Sequence, residues 1–295
     1  MPRVPAGVRG MPGYLVGGTA LAVVTALPLA WKWQLGVVRA CGYLLAVSML
    51  VAVALTGVGR WLALNALTGT LAMWAATVLA ALAGLLIVFF RDPDRTAPSR
   101  QDVIVSPADG RVVYVRPVQP GQLPLATKHG RTYALRELAG TTLADGRAMV
   151  IGISMNLSDV HVNRAPVSGR VRLLEHAPGT FGSLRNPEML LTNERVTTVI
   201  GSGDFEIAVV QIASRLVRRI VTFVSEGDLL GLGQRIGAIR FGSQVDLIIT
   251  ASPRIRVTVQ PGDRVVAGHT IMALISAEPS GTVAAGLTGK ASDGE

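Results

Sequence analysis

The chain has 295 residues, and its 28 Lys and Arg outnumber its 19 Asp and Glu, which gives a formal net charge of +9. Hydrophobic residues make up 49% of the chain and charged residues only 16%, although a soluble domain usually carries about 25% charged residues. This hydrophobicity excludes intrinsic disorder, and the low charge is atypical of a cytosolic domain. The single cysteine, Cys41, excludes an internal disulfide, a cysteine-rich zinc site and a CxxC redox pair.

The first 90 residues have a different charge pattern from the rest. They hold five bases and no acid, so all 19 acids lie beyond Phe90. Because about 20 apolar residues cross a bilayer as a helix, the long uncharged runs predict a membrane anchor over residues 1–90 with two or three transmembrane helices. The predicted spans are roughly 12–31, 40–58 and 68–90.

The positions of Lys and Arg around these spans predict an orientation. With three spans, the 32–39 loop and the 91–100 flank share one side, and they carry five bases against three on the other side. Because Lys and Arg are enriched on the cytoplasmic side, we expect a plasma-membrane protein whose C-terminal domain is cytoplasmic. Attraction to anionic lipid headgroups explains basic membrane flanks, and no Lys/Arg cluster indicates a nucleic-acid partner.

Beyond residue 90 the sequence is typical of short strands. Pro93 blocks continuation of the last helix, and the runs that follow are rich in Val, Ile and Thr and are bounded by turn residues. We predict a β-rich, mainly antiparallel, sandwich-like or barrel-like domain over 91–278 with few short helices, one of them over 131–140, and a disordered tail over 279–295. The predicted strands are 111–116, 148–154, 169–174, 196–200, 205–212, 216–224, 236–241, 244–250 and 255–259.

Two motifs in this domain carry candidate acid–base residues. The first is an Asp-Gly pair at Asp109, which is also a common turn. The second spans residues 158–164, and in an extended conformation its alternate residues Asp159, His161 and Asn163 would share one face. A histidine beside a carboxylate can move protons near neutral pH. Taken alone, each motif is better explained by a structural role.

A third motif places Ser243 directly after Gly242, between two apolar strands, where a bulge or tight turn is the structural alternative. The sequence has no HExxH, GxGxxG, GxxxxGK[ST] or GxSxG motif, so we predict no metal site and find no lipase signature. Lys128 and Lys290 are the only lysines after Lys32. A cofactor carried on a lysine, such as pyridoxal phosphate, is therefore poorly supported.

In combination, these motifs resemble the phosphatidylserine decarboxylase family in its shorter bacterial form. The matching runs occur in the family's order and cover residues 90–250. They are Phe90-Arg-Asp-Pro-Asp-Arg95, Val105-Ser-Pro-Ala-Asp-Gly-Arg-Val112, Asp159-Val-His-Val-Asn-Arg-Ala-Pro166, Asn193-Glu-Arg195, Val209-Val-Gln-Ile-Ala213, Arg218-Arg-Ile220 and Ile239-Arg-Phe-Gly-Ser243. Any one of them is weak evidence, whereas together they are specific.

The resemblance implies an enzyme that makes its own cofactor, a pyruvoyl group derived from Ser243, and uses neither pyridoxal phosphate nor a metal. The backbone would break between Gly242 and Ser243 into a β chain of residues 1–242 and an α chain of residues 243–295, which is 53 residues (295 − 242). Phosphatidylserine in the bilayer would form a Schiff base with the pyruvoyl group, lose CO2 and become phosphatidylethanolamine. A homo-oligomer is left open.

By the same resemblance, the catalytic residues are Ser243, His161 and Asp109, with His161 as the base and Asp109 as the carboxylate that orients it. The residues expected to hold the lipid phosphate or to support the site are Arg164, Asn163 and Glu194. Longer family members carry a second histidine where this chain has Arg164. His161 would therefore have to serve both self-cleavage and decarboxylation.

Three other functions are consistent with the sequence. One is decarboxylation of a related serine-headed lipid, such as archaetidylserine. Another is a non-catalytic, membrane-tethered β-sandwich module, because Gly-Asp motifs of the kind found in carrier domains occur at Gly227 and Gly262. The third is a membrane-bound serine hydrolase that would use Ser243, His161 and Asp109.

Overall fold

The structure is a computed structural model that describes residues 13–32, 35–62, 66–122, 124–128, 131–135, 138, 143, 147–177, 194–213, 220–239 and 244–276. Three long apolar helices come first, and an antiparallel β domain follows them. This arrangement confirms the predicted fold class. The predicted tail over 279–295 lies outside the described residues.

The helices are α1, Gly13–Lys32, α2, Val37–Leu62, and α3, Ala66–Phe89. All three are long and apolar enough to cross a membrane. Pro28 lies inside α1 without ending it, as is tolerated in membrane helices where neighbouring groups satisfy the freed carbonyl.

Small residues let α1 and α3 approach each other closely. A Cβ added at Gly18 would lie 2.5 Å from Cβ of Met73, and one added at Gly69 would lie 2.8 Å from the ring of Tyr14. Because lipid tails are as apolar as the helices themselves, membrane helices associate through such close packing rather than through burial from water. The glycines therefore hold the helix bundle together.

The β domain contains sixteen strands within the described ranges. They are β1, Val103–Val105, β2, Gly110–Val118, β3, Leu125–Lys128, β4, Arg131–Ala134, β5, Ala148–Ser154, β6, Val162–Arg164, β7, Gly169–Ala177, β8, Arg195–Ser202, β9, Phe205–Ile212, β10, Ile220–Thr222, β11, Leu229–Leu230, β12, Arg235–Ile239, β13, Gln244–Thr250, β14, Ile255–Val257, β15, Arg264–Val265, and β16, Ile271–Ile275. Each of the nine predicted runs contains a strand.

One large sheet organises the domain. Its eight strands have the order β11-β7-β8-β9-β13-β5-β2-β15, and the smaller sheets have the orders β1-β16-β14, β10-β12-β6 and β3-β4. All pairs are antiparallel. The two central strands, β9 and β13, are almost fully buried, because both faces of the sheet are covered.

The two faces of the sheet have separate cores. Val245 and Leu247 of β13 pack into the larger core, and Ile248 packs into the other. Leu135 and Leu138 belong to this second core, so the segment between β2 and β5 covers that face. Side chains alternate along a strand, so Val245, Leu247 and Ile249 face the larger core and Ile248 faces the other.

The prediction of a helix over 131–140 was wrong for its first part. Residues 131–134 form strand β4, which pairs with β3 in a two-stranded antiparallel sheet. Thr132 and Tyr133 favour extended structure. Strand β3 supplies the pairing partner, which cannot be recognised from residues 131–140 alone. Similarly, only residues 162–164 of the motif at 158–164 form a strand.

The segment that leaves α3, residues 91–95, is fixed to the β domain. Arg91 donates from Nη2 to the carbonyl oxygen of Ser158 at 2.8 Å. Arg235 forms ion pairs with Asp92 at 2.6 Å and with Asp94 at 2.8 Å. These contacts couple the end of the membrane helix to the strands that carry the site.

Candidate active site

His161 lies at the junction between the helix bundle and the β domain. It immediately precedes β6, and its carbonyl oxygen accepts a hydrogen bond from the N–H of Ile239 at 3.1 Å. Its ring packs against Phe89, the last residue of α3, with the ring centroids 4.0 Å apart. The imidazole is 3% exposed, so the membrane helix itself covers one face of the histidine.

The two ring nitrogens of His161 have different surroundings. Nδ1 lies 2.9 Å from the carbonyl oxygen of Asp159, which can only accept, so Nδ1 carries the proton. Nε2 is buried and has no hydrogen-bond partner in the described part of the chain. Burial lowers the pKa of His161 to about 4, although the Asp159 carbonyl and the nearby carboxylates oppose this shift. At neutral pH the imidazole is uncharged, with its acceptor nitrogen free.

The expected pairing of His161 with the carboxylate of Asp159 does not occur. The chain turns at residues 157–159, so the side chain of Asp159 points elsewhere. It accepts hydrogen bonds from the backbone N–H of Asn156 and from Arg264, each at 2.8 Å. Asp159 therefore orients the histidine through its backbone rather than through its carboxylate.

Asp109 is buried and surrounded by donors. Arg95 binds both of its oxygens, at 2.5 and 2.9 Å, and the backbone N–H groups of Ala267 and Val160 donate at 2.8 and 3.3 Å. Burial alone would raise the pKa of Asp109, but Arg95 and the two N–H groups outweigh it and hold that pKa below its usual value. The carboxylate is therefore ionised and fixed.

No hydrogen bond joins Asp109 to His161 among the described residues. The two are linked through the backbone instead, because Val160, which donates to Asp109, immediately precedes His161. In this geometry Asp109 fixes the segment that carries the histidine. The charge of Asp109 also favours a proton on the ring, as a minor effect.

A cavity of about 180 Å³ adjoins His161. The end of α3 forms one wall with Phe89, Phe90 and Arg91, and the sheet β10-β12-β6 forms the other. Ile239, the last residue of β12, lines this second wall. The cavity therefore lies where the membrane helix meets the β domain.

The predicted supporting residues lie around the same small sheet. Asn163 accepts a hydrogen bond from Nε2 of Gln211 at 2.8 Å, and both side chains are fully buried. Arg164 is buried as well, and it donates to the carbonyl oxygens of Gly233 and Pro93, both at 3.0 Å. Burial lowers the pKa of the Arg164 guanidinium, whose Nε has no partner among the described residues.

Glu194 lies at the start of β8 and accepts a hydrogen bond from the ring of His176 at 2.8 Å. It also accepts a longer one, of 3.4 Å, from the backbone N–H of Ile220. The structure therefore shows Glu194 joining β7, β8 and β10, and shows no direct contact between it and His161.

Gly242 and Ser243 lie outside the described residues, as do the adjoining residues 240 and 241. Their described neighbours along the chain are Ile239, which lines the cavity, and Gln244, which begins β13. Five peptide units join these two residues, so the chain between them spans at most about 18 Å.

A buried polar cluster next to this segment was not predicted from the sequence. Nε2 of Gln244 donates to Asp246 at 2.7 Å and to the hydroxyl of Tyr114 at 3.0 Å, and that hydroxyl donates to Asp246 at 2.5 Å. The only signal was a pair of polar residues at alternate positions of an apolar strand. Their partner, Tyr114, is far away in the sequence.

Among the described residues, no cluster of three or more His, Cys, Asp or Glu side chains is arranged to hold a metal ion.

Comparison with known proteins gives a consistent result. A model of the phosphatidylserine decarboxylase family matches residues 82–273. The chain is 39% identical over 201 residues to a phosphatidylserine decarboxylase proenzyme of Symbiobacterium thermophilum, and the match covers 68% of this chain and 83% of that protein. It is 36% identical over 240 residues to the enzyme of the same name from Azorhizobium caulinodans, covering 81% and 89%.

A putative archaetidylserine decarboxylase proenzyme of Methanocaldococcus jannaschii is 39% identical over 188 residues, covering 64% of this chain and 88% of that protein. Three apolar helices fit association with a membrane, and all three relatives have names of lipid decarboxylase proenzymes. The chain belongs to the phosphatidylserine decarboxylase family.

Proposed function

We propose that this protein decarboxylates phosphatidylserine to phosphatidylethanolamine at the surface of the bilayer. Its cofactor would be a pyruvoyl group formed from Ser243 by cleavage after Gly242. The observation that carries the proposal is His161: a buried, neutral imidazole whose Nε2 has no partner among the described residues, in the wall of a cavity at the end of a membrane helix.

The residues around the proposed pyruvoyl group fit it. Ser243 follows Ile239 by four residues, and Ile239 both lines the cavity and hydrogen-bonds to the backbone of His161. An unpaired buried nitrogen is costly unless it acquires a partner. A serine hydroxyl or a substrate group within the cavity would provide that partner.

Self-cleavage uses the chain's own atoms. The hydroxyl of Ser243 attacks the carbonyl carbon of Gly242, the peptide bond to the serine nitrogen breaks, and an ester takes its place. Loss of the serine Cα proton then expels the Gly242 carboxylate, and the resulting dehydroalanine takes up water and releases ammonia to give the pyruvoyl group. His161 can accept the hydroxyl proton at Nε2, because Nδ1 already carries one.

In the decarboxylation itself, the pyruvoyl group would supply an electron-withdrawing carbonyl that accepts the electron pair released with CO2. His161 would carry the proton that the product carbon needs, from the same nitrogen. Asp109, fixed by Arg95, would hold the backbone at Val160 and thereby the position of the imidazole. Phe89 would exclude water from one face of the ring.

The supporting roles proposed for Asn163, Arg164 and Glu194 rest on their positions. Asn163 and Arg164 lie on β6, the strand that follows His161. Their hydrogen bonds join β6 to β9 and to residues 91–95, which follow α3. Because the guanidinium of Arg164 already donates to carbonyl oxygens, support of the site suits it better than binding of lipid phosphate. Glu194 would keep β10, part of the cavity wall, in place.

Replacement of Ser243 by Ala tests the proposal. The purified wild-type protein should run as two fragments, 1–242 and 243–295, and the smaller should have a blocked N-terminus that reacts with borohydride. Ser243→Ala should remain a single 295-residue chain and release no CO2 from phosphatidylserine.

The exposed Ser225 offers a matched control. Ser225→Ala should cleave and decarboxylate like the wild type. A wild-type protein found as one uncleaved polypeptide without a reactive ketone would refute the pyruvoyl mechanism and favour a non-catalytic module. Labelling of the uncleaved protein by a fluorophosphonate would favour the serine hydrolase.

Archaetidylserine is a second candidate substrate, because one similar protein is named a putative archaetidylserine decarboxylase proenzyme. The two lipids share the phosphoserine headgroup and differ in their backbone and chains. Purified enzyme offered both lipids in mixed micelles should show a higher kcat/KM for its own substrate. Equal values would mean that the headgroup alone is recognised.

The proposed location is the plasma membrane, with the β domain on the cytoplasmic side. The support is the excess of Lys and Arg next to that domain, five against three. A membrane-impermeant protease added to intact spheroplasts should leave the β domain uncut. Digestion without lysis would reverse the orientation.

A further inference from the structure

The helix bundle contains a larger cavity that the proposed mechanism does not use. Its volume is about 540 Å³, within the range of about 300–1,000 Å³ that is typical of small-molecule sites. Apolar side chains of all three helices line it, among them Leu29, Leu44, Leu82 and Val88. Ser158 of the β domain also lines it, so the cavity lies at the end of the bundle that faces the β domain.

The two cavities have neighbouring linings at the end of α3. Val88 lines the larger cavity and the next residue, Phe89, lines the smaller one beside His161. Arg91 also lines the smaller cavity, and it donates a hydrogen bond to Ser158, which lines the larger. A molecule that occupied both cavities would therefore pass Arg91.

Arginine charge is concentrated at this junction. Arg39 lines the larger cavity, and its side chain makes no hydrogen bond or ion pair with any residue that the structure describes. Arg91 uses two of its five N–H donors on the carbonyl oxygens of Val88 and Ser158 and has no carboxylate partner in the same described ranges. Arginine binds phosphate well through its planar fork of donors.

An anionic lipid matches these features better than other ligands. The apolar walls suit an acyl chain, whereas a soluble anion would leave them exposed to water. Two arginines without acidic partners in the described part of the chain suit a phosphate at the depth of the headgroups. The first 90 residues contain no acid that could neutralise them.

We propose that the larger cavity holds an acyl chain of the glycerophospholipid substrate and that Arg39 and Arg91 bind its phosphate, so that the serine headgroup enters the smaller cavity beside His161. This inference rests on the proposed decarboxylation and adds the lipid-binding residues to it. From the sequence, Arg164, Asn163 and Glu194 were instead expected to hold the phosphate or support the site.

The test compares three substrates: dioleoyl phosphatidylserine in mixed micelles, dihexanoyl phosphatidylserine, and glycerophosphoserine, which has no chains. Ala81 lines the larger cavity, so Ala81→Phe should raise KM for the dioleoyl lipid about tenfold and leave KM for the dihexanoyl lipid unchanged. Arg39→Ala should raise KM about tenfold for both lipids, because the lost charge-assisted contact is made to the phosphate that they share. Glycerophosphoserine should be a poor substrate for every variant.

Each variant has a matched control. Leu79 lies on α3, is exposed and does not line the cavity. Leu79→Phe therefore adds a phenyl ring to the same helix without filling the cavity. Arg60→Ala removes the same charge from the opposite end of α2. Both controls should keep the wild-type KM.

Self-cleavage, read on a denaturing gel, separates this inference from the proposed function. Complete cleavage and unchanged kcat in Ala81→Phe and Arg39→Ala, together with raised KM, support the lipid site. Unchanged KM values in cleaved, active variants would overturn it while leaving the decarboxylase intact. Absence of decarboxylation in the wild type would instead overturn the proposed function.

Discussion

The helix bundle and the β domain differ in how their polar groups find hydrogen-bond partners. In the bundle, several threonine hydroxyls donate within their own helix: Thr19, for example, donates to the carbonyl oxygen of Leu15 at 2.8 Å. The β domain buries the carboxylates of Asp109, Asp159 and Asp246, and each of them accepts at least two hydrogen bonds, at least one of which comes from a distant part of the chain.

This difference follows from the surroundings of each region. A charge inside a bilayer is expensive and finds few partners, so the bundle is held by close contacts between small residues. The β domain can bury charge because loops from several sheets converge with matched donors. Charge and pH should therefore affect the β domain strongly and the bundle hardly at all. Stabilities are best compared in the Ser243→Ala background, in which the proposed cleavage would not occur, so that chain cleavage does not differ between variants.

The largest effect is expected from removal of the buried carboxylate at Asp109. Asp109→Ala leaves Arg95 and two backbone N–H groups without their acceptor, and breaking a buried ion pair typically costs about 3–5 kcal/mol. The free energy of unfolding of the β domain should fall by that amount in chemical denaturation followed by circular dichroism. A loss within the error of the measurement would mean that water replaces the carboxylate without cost.

Acidification should destabilise the β domain next most strongly. The pKa of His161 is lowered to about 4 in the folded protein, whereas an unfolded histidine titrates near 6.5, so the unfolded state binds more protons between these values. Stability should be constant above about pH 6.5 and fall by roughly 3 kcal/mol as the pH drops to about 4. His161→Gln should lack this slope.

The exposed His269 provides the control for the pH experiment. His269→Gln should keep the full pH dependence of the wild type. An equal slope in His161→Gln would assign the acid sensitivity to other groups. The helical signal of the bundle should stay constant over the same pH range, because residues 13–90 contain neither acid nor histidine.

Two glycine replacements probe packing in both regions. A Cβ at Gly152 would lie 2.4 Å from the ring of Tyr114, and one at Gly18 would lie 2.5 Å from Met73, so either Ala variant should lose about 1–3 kcal/mol. Gly152→Ala should lower the melting temperature of the β domain and Gly18→Ala that of the bundle. Gly42, on α2 with open space around it, serves as the control, and Gly42→Ala should not destabilise either region.

The smallest effect is expected at the surface of the β domain. Arg100 and Asp102 form an ion pair with half-exposed side chains, and such pairs contribute little in water. Arg100→Ala should leave the melting temperature unchanged within error. A clear drop would contradict the distinction between buried and exposed charge pairs on which this comparison depends.

Sequence patterns predicted the elements better than the site. Strands β5, β9 and β13 have the predicted bounds, because each is a mainly apolar run that can be recognised without knowledge of its neighbours. The strand at β4 was missed, since its pairing with β3 decides its conformation.

Contacts within the site depend on the order of strands and on chain direction, which local patterns do not contain. The stacking of Phe89 on His161 joins residues 72 positions apart (161 − 89). The role of Asp159 was misjudged because a turn, rather than a strand, directs its side chain away from the histidine. Arg95 was visible in the sequence as part of a motif, but nothing there indicated that Asp109 was its partner.

The central place of β13 has a consequence for the mature protein. It is hydrogen-bonded on one side to β9 and on the other to β5, while β15 and β16, further along the chain, join β2 and β1. Cleavage of the backbone before Gln244 would therefore free no strand from its sheet. The two polypeptides would stay associated through shared sheets without a covalent link. After separation by denaturant, reassembly would require β13 to insert again between β9 and β5. Separation of the two polypeptides would therefore be irreversible.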